Sequence, residues 1–305
     1  MRANYYSGMP LSRDDALRRD AAALDQLRAS PRCRVLAVWR NQHLIIDRTA
    51  PAPVWHTGDE AISLFSEANG WALLGMREDA AHFVVDVSHI DNPVSAKPFA
   101  GRGEFVDLRA IGPLLARDAG SIMAYARGLM YWHHRHRFCG VCGSLTESTQ
   151  GGHVRRCTNA DCALDHFPRT DPAVIMLVTY GEECLLGRQK IWPAGMHSTL
   201  AGFVEPGESL EEAVIREIKE ESGVDVERPV YHSSQPWPFP SSIMLGFHAE
   251  ARSPTLTVNT DELETAAWYH RDALLASPEN ATFRLPRKDS IARRLVDDWL
   301  YDRSV

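Results

Sequence analysis

The stretch from Gly202 to Val224 (G-F-V-E-P-G-E-S-L-E-E-A-V-I-R-E-I-K-E-E-S-G-V) constrains this chain more than any other. It opens as a loop marked by Gly202, Pro206 and Gly207. It continues as a helix whose apolar positions Leu210, Ala213, Val214 and Ile218 recur at helical spacing. Gly223 closes the helix at a position suited to the left-handed conformation. Glu217, Glu220 and Glu221 fall at i, i+3 and i+4, so three carboxylates share one face within a turn. Like charges so placed cost an isolated helix roughly 0.2–0.5 kcal/mol per pair. A solvated acidic face is the common meaning of such a cluster. A hard cation such as Mg²⁺ or Mn²⁺ reverses the sign, because it requires clustered oxygens.

The rest of the chain suits a soluble globular protein of two or three modest domains. Its 305 residues are 44% hydrophobic and 24% charged. A net charge of −7 argues against a whole-surface nucleic-acid binder and leaves a local basic patch open. No apolar run of about 18 residues is present, so no membrane span is expected. The N-terminal M-R-A-N-Y-Y-S-G-M-P lacks the apolar core of a signal peptide, and a cytoplasmic location is expected.

Residues 1–125 read as a small α+β domain. An amphipathic helix over 14–29 precedes a hairpin of Cys33–Val38 and His43–Ile46, then strands at 71–76 and 82–87. A further strand near Phe105 turns helical toward Ala116. No catalytic constellation is evident here, and the scattered His and Asp residues are expected at the surface.

Residues 126–167 form a second segment. A helix over 119–137 carries an apolar stripe through Ile122, Tyr125, Leu129 and Trp132, and it ends in Arg135, Arg137 and three histidines. That basic end matches the negative pole of the helix dipole, as a solvated cap or a contact to phosphates. Cys139-x-x-Cys142 follows, then after fourteen residues Cys157-T-N-A-D-Cys162. Two thiolate pairs on short hairpins suit tetrahedral Zn²⁺ with no open position, hence a structural ion. A redox dithiol is the rival for one pair and leaves the other unexplained. Cys33 and Cys184 stand alone in apolar surroundings and read as reduced, buried small hydrophobes.

Residues 168–305 read as a mixed sheet with helices on both faces, an α/β/α sandwich. The apolar run 173–179 is its central strand, Glu183–Arg188 a hairpin partner, and 196–203 a strand leading into the carboxylate stretch. Strands near 230–234, 243–251 and 267–270 and a helix over about 290–301 complete it. Between two of these strands lies Ser234-Gln235-Pro236-Trp237-Pro238-Phe239-Pro240-Ser241-Ser242. Three prolines in five residues exclude a helix or an interior strand, so a stiff loop is expected. A packing loop is the plain reading; the sharper one is a rigid ligand contact with little entropy left to lose.

Two motifs carry a resemblance. Gly202, Glu208, Arg216-Glu217, Glu220-Glu221 and Gly223 occupy every fixed position of the Nudix box, a coincidence on the order of one in 10⁸ windows by chance. The stretch Ser234–Ser242 matches the SQPWPFPxS array of the NADH pyrophosphatase branch. The chain therefore resembles NADH pyrophosphatases of the Nudix hydrolase family, well over 120–295 and weakly over the first 118 residues. That resemblance implies the α/β/α Nudix fold behind a zinc ribbon and an N-terminal domain. It also implies metal-dependent hydrolysis of NADH or NAD⁺ to nicotinamide mononucleotide and AMP, and removal of a 5′-terminal NAD from RNA.

For the site, it implies more than one Mg²⁺ or Mn²⁺ held by Glu217, Glu220, Glu221 and the backbone of Ala201. Glu220 shares the metal site or acts as base, and Arg216 orients the carboxylates. A further glutamate is implied at Glu262, with Glu264 the lesser candidate. One structural Zn²⁺ per chain is implied at Cys139, Cys142, Cys157 and Cys162. Phe203 corresponds to an aromatic stacking on adenine, and Phe167 to one contacting the base across a homodimer interface. Gln235, Pro236, Trp237, Pro238, Phe239, Pro240, Ser241 and Ser242 correspond to substrate contacts, and Ala292 to a backbone contact. Two alternatives stay open: a pyrophosphatase for ADP-ribose or dinucleoside polyphosphates, and a nucleotide-sensing nucleic-acid-binding regulator.

Overall fold

The structure, a computed structural model, describes residues 3–303. It packs as two units: Tyr6–Thr170 with Trp237–Ser241, and Asp171–Pro236, Ser242–Val305 with Met1–Tyr5.

In the first unit, α1 (Asp15–Arg19) and α2 (Ala21–Arg28) replace the single helix expected over 14–29. Asp20 separates them: its N–H donates to the Leu17 carbonyl, while its carboxylate accepts from the Ala23 N–H and caps α2. The expected hairpin forms from β1 (Arg34–Trp39) and β2 (Gln42–Ile45), turning through Arg40 and Asn41 at φ 48° and 64°. Next comes α3 (Gly58–Glu67), a helix the sequence reading lacks. It buries Ala61 and Leu64, too sparse a pattern for periodicity to show. Then follow β3 (Gly70–Arg77), β4 (Ala80–Asp86), β5 (Glu104–Asp107), α4 (Leu108–Ile111) and α5 (Arg117–Arg135).

The strands order as β3-β4-β1-β2-β5, with β1 parallel to β4 and antiparallel to β2. Alternation sends Val35, Ala37, Phe83 and Val85 to a core shared with Leu24, Ala61 and Leu64. Leu36, Val38 and Val84 face Ile122, Ala126 and Leu129 of α5 on the other side. Three histidines expected at the surface are core residues instead. His43 and His56 are fully buried and His82 is 5% exposed. Burial drives all three pKa values down, His43 to about 3, so neutral imidazoles fill these positions. His133, at the basic end of α5, is also buried and pairs with the Gly152 carbonyl at 2.7 Å, so that end is only partly solvated. A small antiparallel sheet of β6 (Thr146–Thr149), β7 (Val154–Cys157) and β8 (Asp165–His166) holds the cysteine knuckles.

The second unit begins with β9 (Asp171–Tyr180), central and apolar as expected, then β10 (Glu183–Arg188), β11 (Leu200–Phe203) and α6 (Leu210–Ser222). It continues through β12 (Val226–Trp237), β13 (Ser242–Ala251), β14 (Thr265–His270), α7 (Arg271–Ala276) and α8 (Ile291–Leu300). The strand order is β12-β13-β9-β10-β14, with β11 added against β9. Val174, Met176 and Val178 pack on Ala213, Val214 and Ile218 of α6. Ile175 and Leu177 pack on Ile291, Leu295 and Val296 of α8, which completes the sandwich. Strand β12 extends to Trp237, beyond the expected end near Ser234, and includes Pro229 and Pro236. Its place at the sheet edge explains why missing N–H donors are tolerated there.

The two sheets share one topology. Strands β3-β4-β1-β2-β5 match β12-β13-β9-β10-β14 in order, in the parallel pair (β4 with β1, β13 with β9) and in the two antiparallel pairs that follow it. Helix α3 stands where α6 does, and α5 where α8 does. The chain thus carries one fold twice. Only the second copy has a carboxylate cluster on the helix that follows the hairpin; α3 turns Ala61 and Leu64 into its core instead.

Candidate active site

Helix α6 starts with a capping box. Ser209 Oγ accepts from the Glu212 N–H at 3.2 Å, and Glu212 accepts from the Ser209 N–H at 2.7 Å. It ends at Gly223, whose φ of 73° is the left-handed stop expected from the sequence. Between these caps the helix buries Glu217 and Glu221 along with Ala213, Val214 and Ile218, and leaves Glu220 half exposed.

Arg216 organises the acidic groups. Its guanidinium donates to both Glu208 oxygens at 2.7 and 2.9 Å, to Glu217 at 2.9 Å and to Glu220 at 3.0 Å. A further bond at 2.9 Å reaches the Phe203 carbonyl and ties the loop before the helix. Every guanidinium nitrogen is thereby occupied by protein, and the surrounding carboxylates raise its pKa. Gly202 lies against Glu217 so closely that a Cβ would sit 1.8 Å from the Glu217 Cδ. Glycine is required there to give the carboxylate its place.

Glu221 is 4% exposed, and its Oε2 has no hydrogen-bond partner. Burial first, then the neighbouring Glu217, Glu262 and Glu220 charges, push its pKa up to about 8. Glu217 is raised in the same direction, again chiefly by burial. Together with Glu262 and Ala201 these residues line a cleft of about 490 Å³. Gln189, Lys190, Arg216, Asp261 and the exposed Phe203 are also in its wall, whereas Glu220 is not among the lining residues. Glu262 accepts from the Asn259 amide at 3.2 Å, whereas Glu264 pairs with Arg188 at 2.8 Å and is absent from the lining. The donor set of carboxylates with one partnerless buried oxygen fits a hard divalent cation. Gln189 and Lys190 escaped the sequence reading because they lie on a loop after β10 with no motif around them.

The Pro-rich stretch divides. Gln235 is fully buried: its amide donates to the Asp289 carbonyl at 2.7 Å and the Tyr5 carbonyl at 3.2 Å, and its oxygen accepts from the Ile291 N–H at 2.7 Å. It thus fixes the start of α8. Ala292 lies in that helix, 3% exposed, within the core. Pro236 is half-buried in β12 and Ser242 opens β13. Trp237, Pro238, Phe239, Pro240 and Ser241 pack with the first unit, where the Trp237 and Phe239 rings meet edge-on at 5.0 Å. Phe167 follows β8 in that unit and is 51% exposed.

The four cysteines form a separate site. Their sulfurs all lie within 4.8 Å of one another, with Cys139–Cys162 at 3.8 Å and Cys142–Cys157 at 3.4 Å. A tetrahedron of thiolates around zinc has edges of about 3.8 Å. Hydrogen bonds from Ser144 hold the Cys142 thiol down to about 6, so one ligand already favours the thiolate form. The carboxylates of the cleft are not gathered so tightly; among the described residues the cysteines alone are. Cys33 and Cys184 are buried and free, their thiols pushed up to about 12 by burial.

This geometry agrees with what comparison with other proteins finds. The NUDIX domain family matches residues 169–292. The NADH pyrophosphatase zinc ribbon domain matches 134–167, and the NADH pyrophosphatase-like rudimentary NUDIX domain matches 33–132, the copy without a counterpart of the Glu217, Glu220 and Glu221 cluster. The chain belongs to the Nudix hydrolase family. Within it, the two models over residues 33–167 are ones described for NADH pyrophosphatases.

Human NAD-capped RNA hydrolase NUDT12 (Homo sapiens) is 40% identical over 225 residues, 68% of this chain and 48% of that protein. NAD-capped RNA hydrolase NudC of Stutzerimonas stutzeri is 44% identical over 186 residues, 61% of this chain and 64% of its own. Nudix hydrolase 19, chloroplastic, of Arabidopsis thaliana is 37% identical over 293 residues, 87% of this chain and 66% of its own. This chain thus spans about half of the human relative. Among the described residues no helix is long and apolar enough to cross a membrane.

Proposed function

We propose that this protein hydrolyses the pyrophosphate bond of NADH or NAD⁺ to nicotinamide mononucleotide and AMP, and removes 5′-terminal NAD from RNA to leave a 5′-monophosphate. The observation that carries the reading is Glu221, a buried carboxylate with a partnerless oxygen beside Glu217 and Glu262. Such an arrangement is costly without a cation and well suited to one. Names of the relatives and the SQPWPFPxS stretch support the substrate.

Glu217, Glu221, Glu262 and the Ala201 backbone would hold Mg²⁺ or Mn²⁺, more than one ion, which lower the pKa of an attacking water and offset charge on the phosphates. Glu220, half exposed and held through one oxygen by Arg216, keeps its other oxygen available to take the proton of that water. Arg216 holds the carboxylates in place and leaves the substrate to others. Phe203, 60% exposed at the cleft, offers a face for adenine, and Lys190 a cation for phosphate. Cys139, Cys142, Cys157 and Cys162 would hold one structural Zn²⁺. Such a set persists only with reduced thiols, which suits the cytoplasm. A homodimer, with Phe167 reaching the base of a second subunit, is part of this reading, and light scattering after size exclusion tests it.

Initial rates on NADH, ADP-ribose, diadenosine tetraphosphate and a 5′-NAD RNA, with Mg²⁺ and with Mn²⁺, test the substrate. The highest kcat/KM is expected for the NAD-containing pair. A preference for ADP-ribose or the dinucleoside polyphosphate would replace this substrate with one of those.

A further inference from the structure

The segment between β10 and β11 brings Gln189, Lys190 and Ile191 to the wall of the carboxylate cleft. Its second half is pinned by backbone bonds. The Gly195 carbonyl accepts from the Arg284 N–H at 2.8 Å, and the His197 N–H donates to the Arg284 carbonyl at 2.9 Å. Ser198 and Gly187 exchange two bonds of 2.8 Å. The first half, 189–194, has less to hold it. One turn bond runs within it, from the Trp192 N–H to the Gln189 carbonyl at 3.0 Å, and the Pro193 carbonyl accepts from the Met196 N–H at 3.1 Å. Pro193 has no N–H to add.

Arg188, the last residue of β10, supplies the rest. One terminal nitrogen donates to the Pro193 carbonyl at 2.7 Å and the Met196 carbonyl at 3.4 Å, and the other to the Trp192 carbonyl at 3.2 Å. Its Nε pairs with Glu264 at 2.8 Å, and the Glu264 N–H donates back to the Arg188 carbonyl at 2.8 Å. Among the described residues no other side chain bonds to the backbone of 189–194. A planar guanidinium can meet three carbonyls and a carboxylate in one fixed geometry, which a single ammonium cannot.

What the held segment carries is Lys190. Arg216 and Lys190 are the cations of the cleft wall, beside five carboxylates, Glu205, Glu217, Glu221, Asp261 and Glu262. Every guanidinium nitrogen of Arg216 is taken by protein. Lys190 is exposed and, among the described residues, has no hydrogen bond or ion pair. A cation left unpaired in so acidic a wall is available to an anionic ligand, and where it reaches depends on the backbone that bears it. We infer that Arg188 is a positioning residue: braced by Glu264, it fixes the 189–194 segment so that Lys190 meets a phosphate oxygen of the dinucleotide. The inference rests on the substrate reading above, and Arg188 itself touches no substrate. Clamp, segment and cleft all belong to the second unit.

The test is a double-mutant cycle in steady-state kinetics on NADH: wild type, Arg188→Gln, Lys190→Ala and the double variant, with a thermal melt and a Mg²⁺ titration of each. Lys190→Ala is expected to raise KM by roughly tenfold or more with kcat within about threefold. Arg188→Gln should raise KM in the same way, by roughly fivefold or more. The double variant should lie within about twofold of Lys190→Ala alone, because a misplaced segment has nothing further to lose once its cation is gone. Half-saturating Mg²⁺ should stay within about twofold throughout, since the carboxylates are untouched. Arg188→Lys, with the charge and no fork, should fall between wild type and Arg188→Gln, and it takes the place of Arg188→Gln in the cycle if that variant does not fold.

Unchanged KM in Lys190→Ala or in the folded Arg188 variant overturns the inference. So does a double variant whose KM rises by the product of the two single rises, because Arg188 then acts independently of Lys190. Wild-type turnover of NADH on the same preparation separates the two levels. Without it the substrate reading falls and takes the inference along; with it, any of those results removes the inference alone.

Discussion

Replacing Glu221 by Gln should stabilise the cation-free protein at neutral and higher pH while abolishing its response to cations. Burial and three neighbouring carboxylates raise the Glu221 pKa from 4.5 to about 8. Between those values the unfolded chain has released the proton and the folded chain keeps it, so stability falls as pH rises through the window. At about 1.4 kcal/mol per unit, the full loss from Glu221 is on the order of 5 kcal/mol. Glu217 is raised in the same sense and adds a slope of its own, which the variant retains.

Urea denaturation in EDTA at a series of pH values from 5 to 9 measures this directly. Wild type should lose stability steadily to about pH 8 and then level off. Glu221→Gln should lose distinctly less and be the more stable of the two at pH 8. Adding Mg²⁺ or Mn²⁺ at pH 8 should restore wild type, because cation binding displaces the proton, and should leave the variant little changed. Superimposable pH profiles for the two proteins would show that Glu221 ionises normally and would refute the reasoning.

Three further expectations follow from the same geometry. Gly202→Ala places a Cβ 1.8 Å from the Glu217 Cδ and 2.0 and 2.1 Å from its oxygens, so the carboxylate must swing away; activity should fall by about 100-fold or more with stability changed by about 1 kcal/mol or less, read by kinetics and thermal melts. Glu262→Gln should lower activity and weaken cation dependence by roughly tenfold or more, whereas Glu264→Gln, whose carboxylate is tied to Arg188, should stay near wild type in a cation titration. Cys157→Ser should reduce zinc from about one per chain to none by elemental analysis, with a lowered melting temperature.

The second half was legible because its signals are local. Ser209 and Glu212 cap α6, Gly223 stops it, and Glu217 and Glu221 lie one turn apart on the face that the apolar spacing marks as inward. The cysteine pairs were legible for the same reason, since their spacing along the chain fixes their geometry. In the first half the strands were legible, and the repeat of the fold was not. Its copy of the fold lacks the carboxylates that give the second copy its signature, and α3 shows only two buried positions. His43, His56 and His82 look like surface residues by type, yet lie in the core as neutral rings, which depends on tertiary burial alone. Arg127 donates to the Pro238 carbonyl from 111 positions away, so nothing in either neighbourhood announces that bond. Lys190 likewise joins the cleft only once β10 and β11 are in place.

The central claim is that the carboxylate cleft of this chain splits a dinucleotide at its pyrophosphate. Chromatographic analysis of NADH incubated with the protein tests it most directly, with Mg²⁺ or Mn²⁺, with EDTA, and with Glu220→Gln in place of wild type. Reduced nicotinamide mononucleotide and AMP are expected in equal amounts, only with wild type and only with a divalent cation. Equal product formation by Glu220→Gln or in EDTA would contradict it, as would intact NADH after long incubation with the cation-loaded wild type.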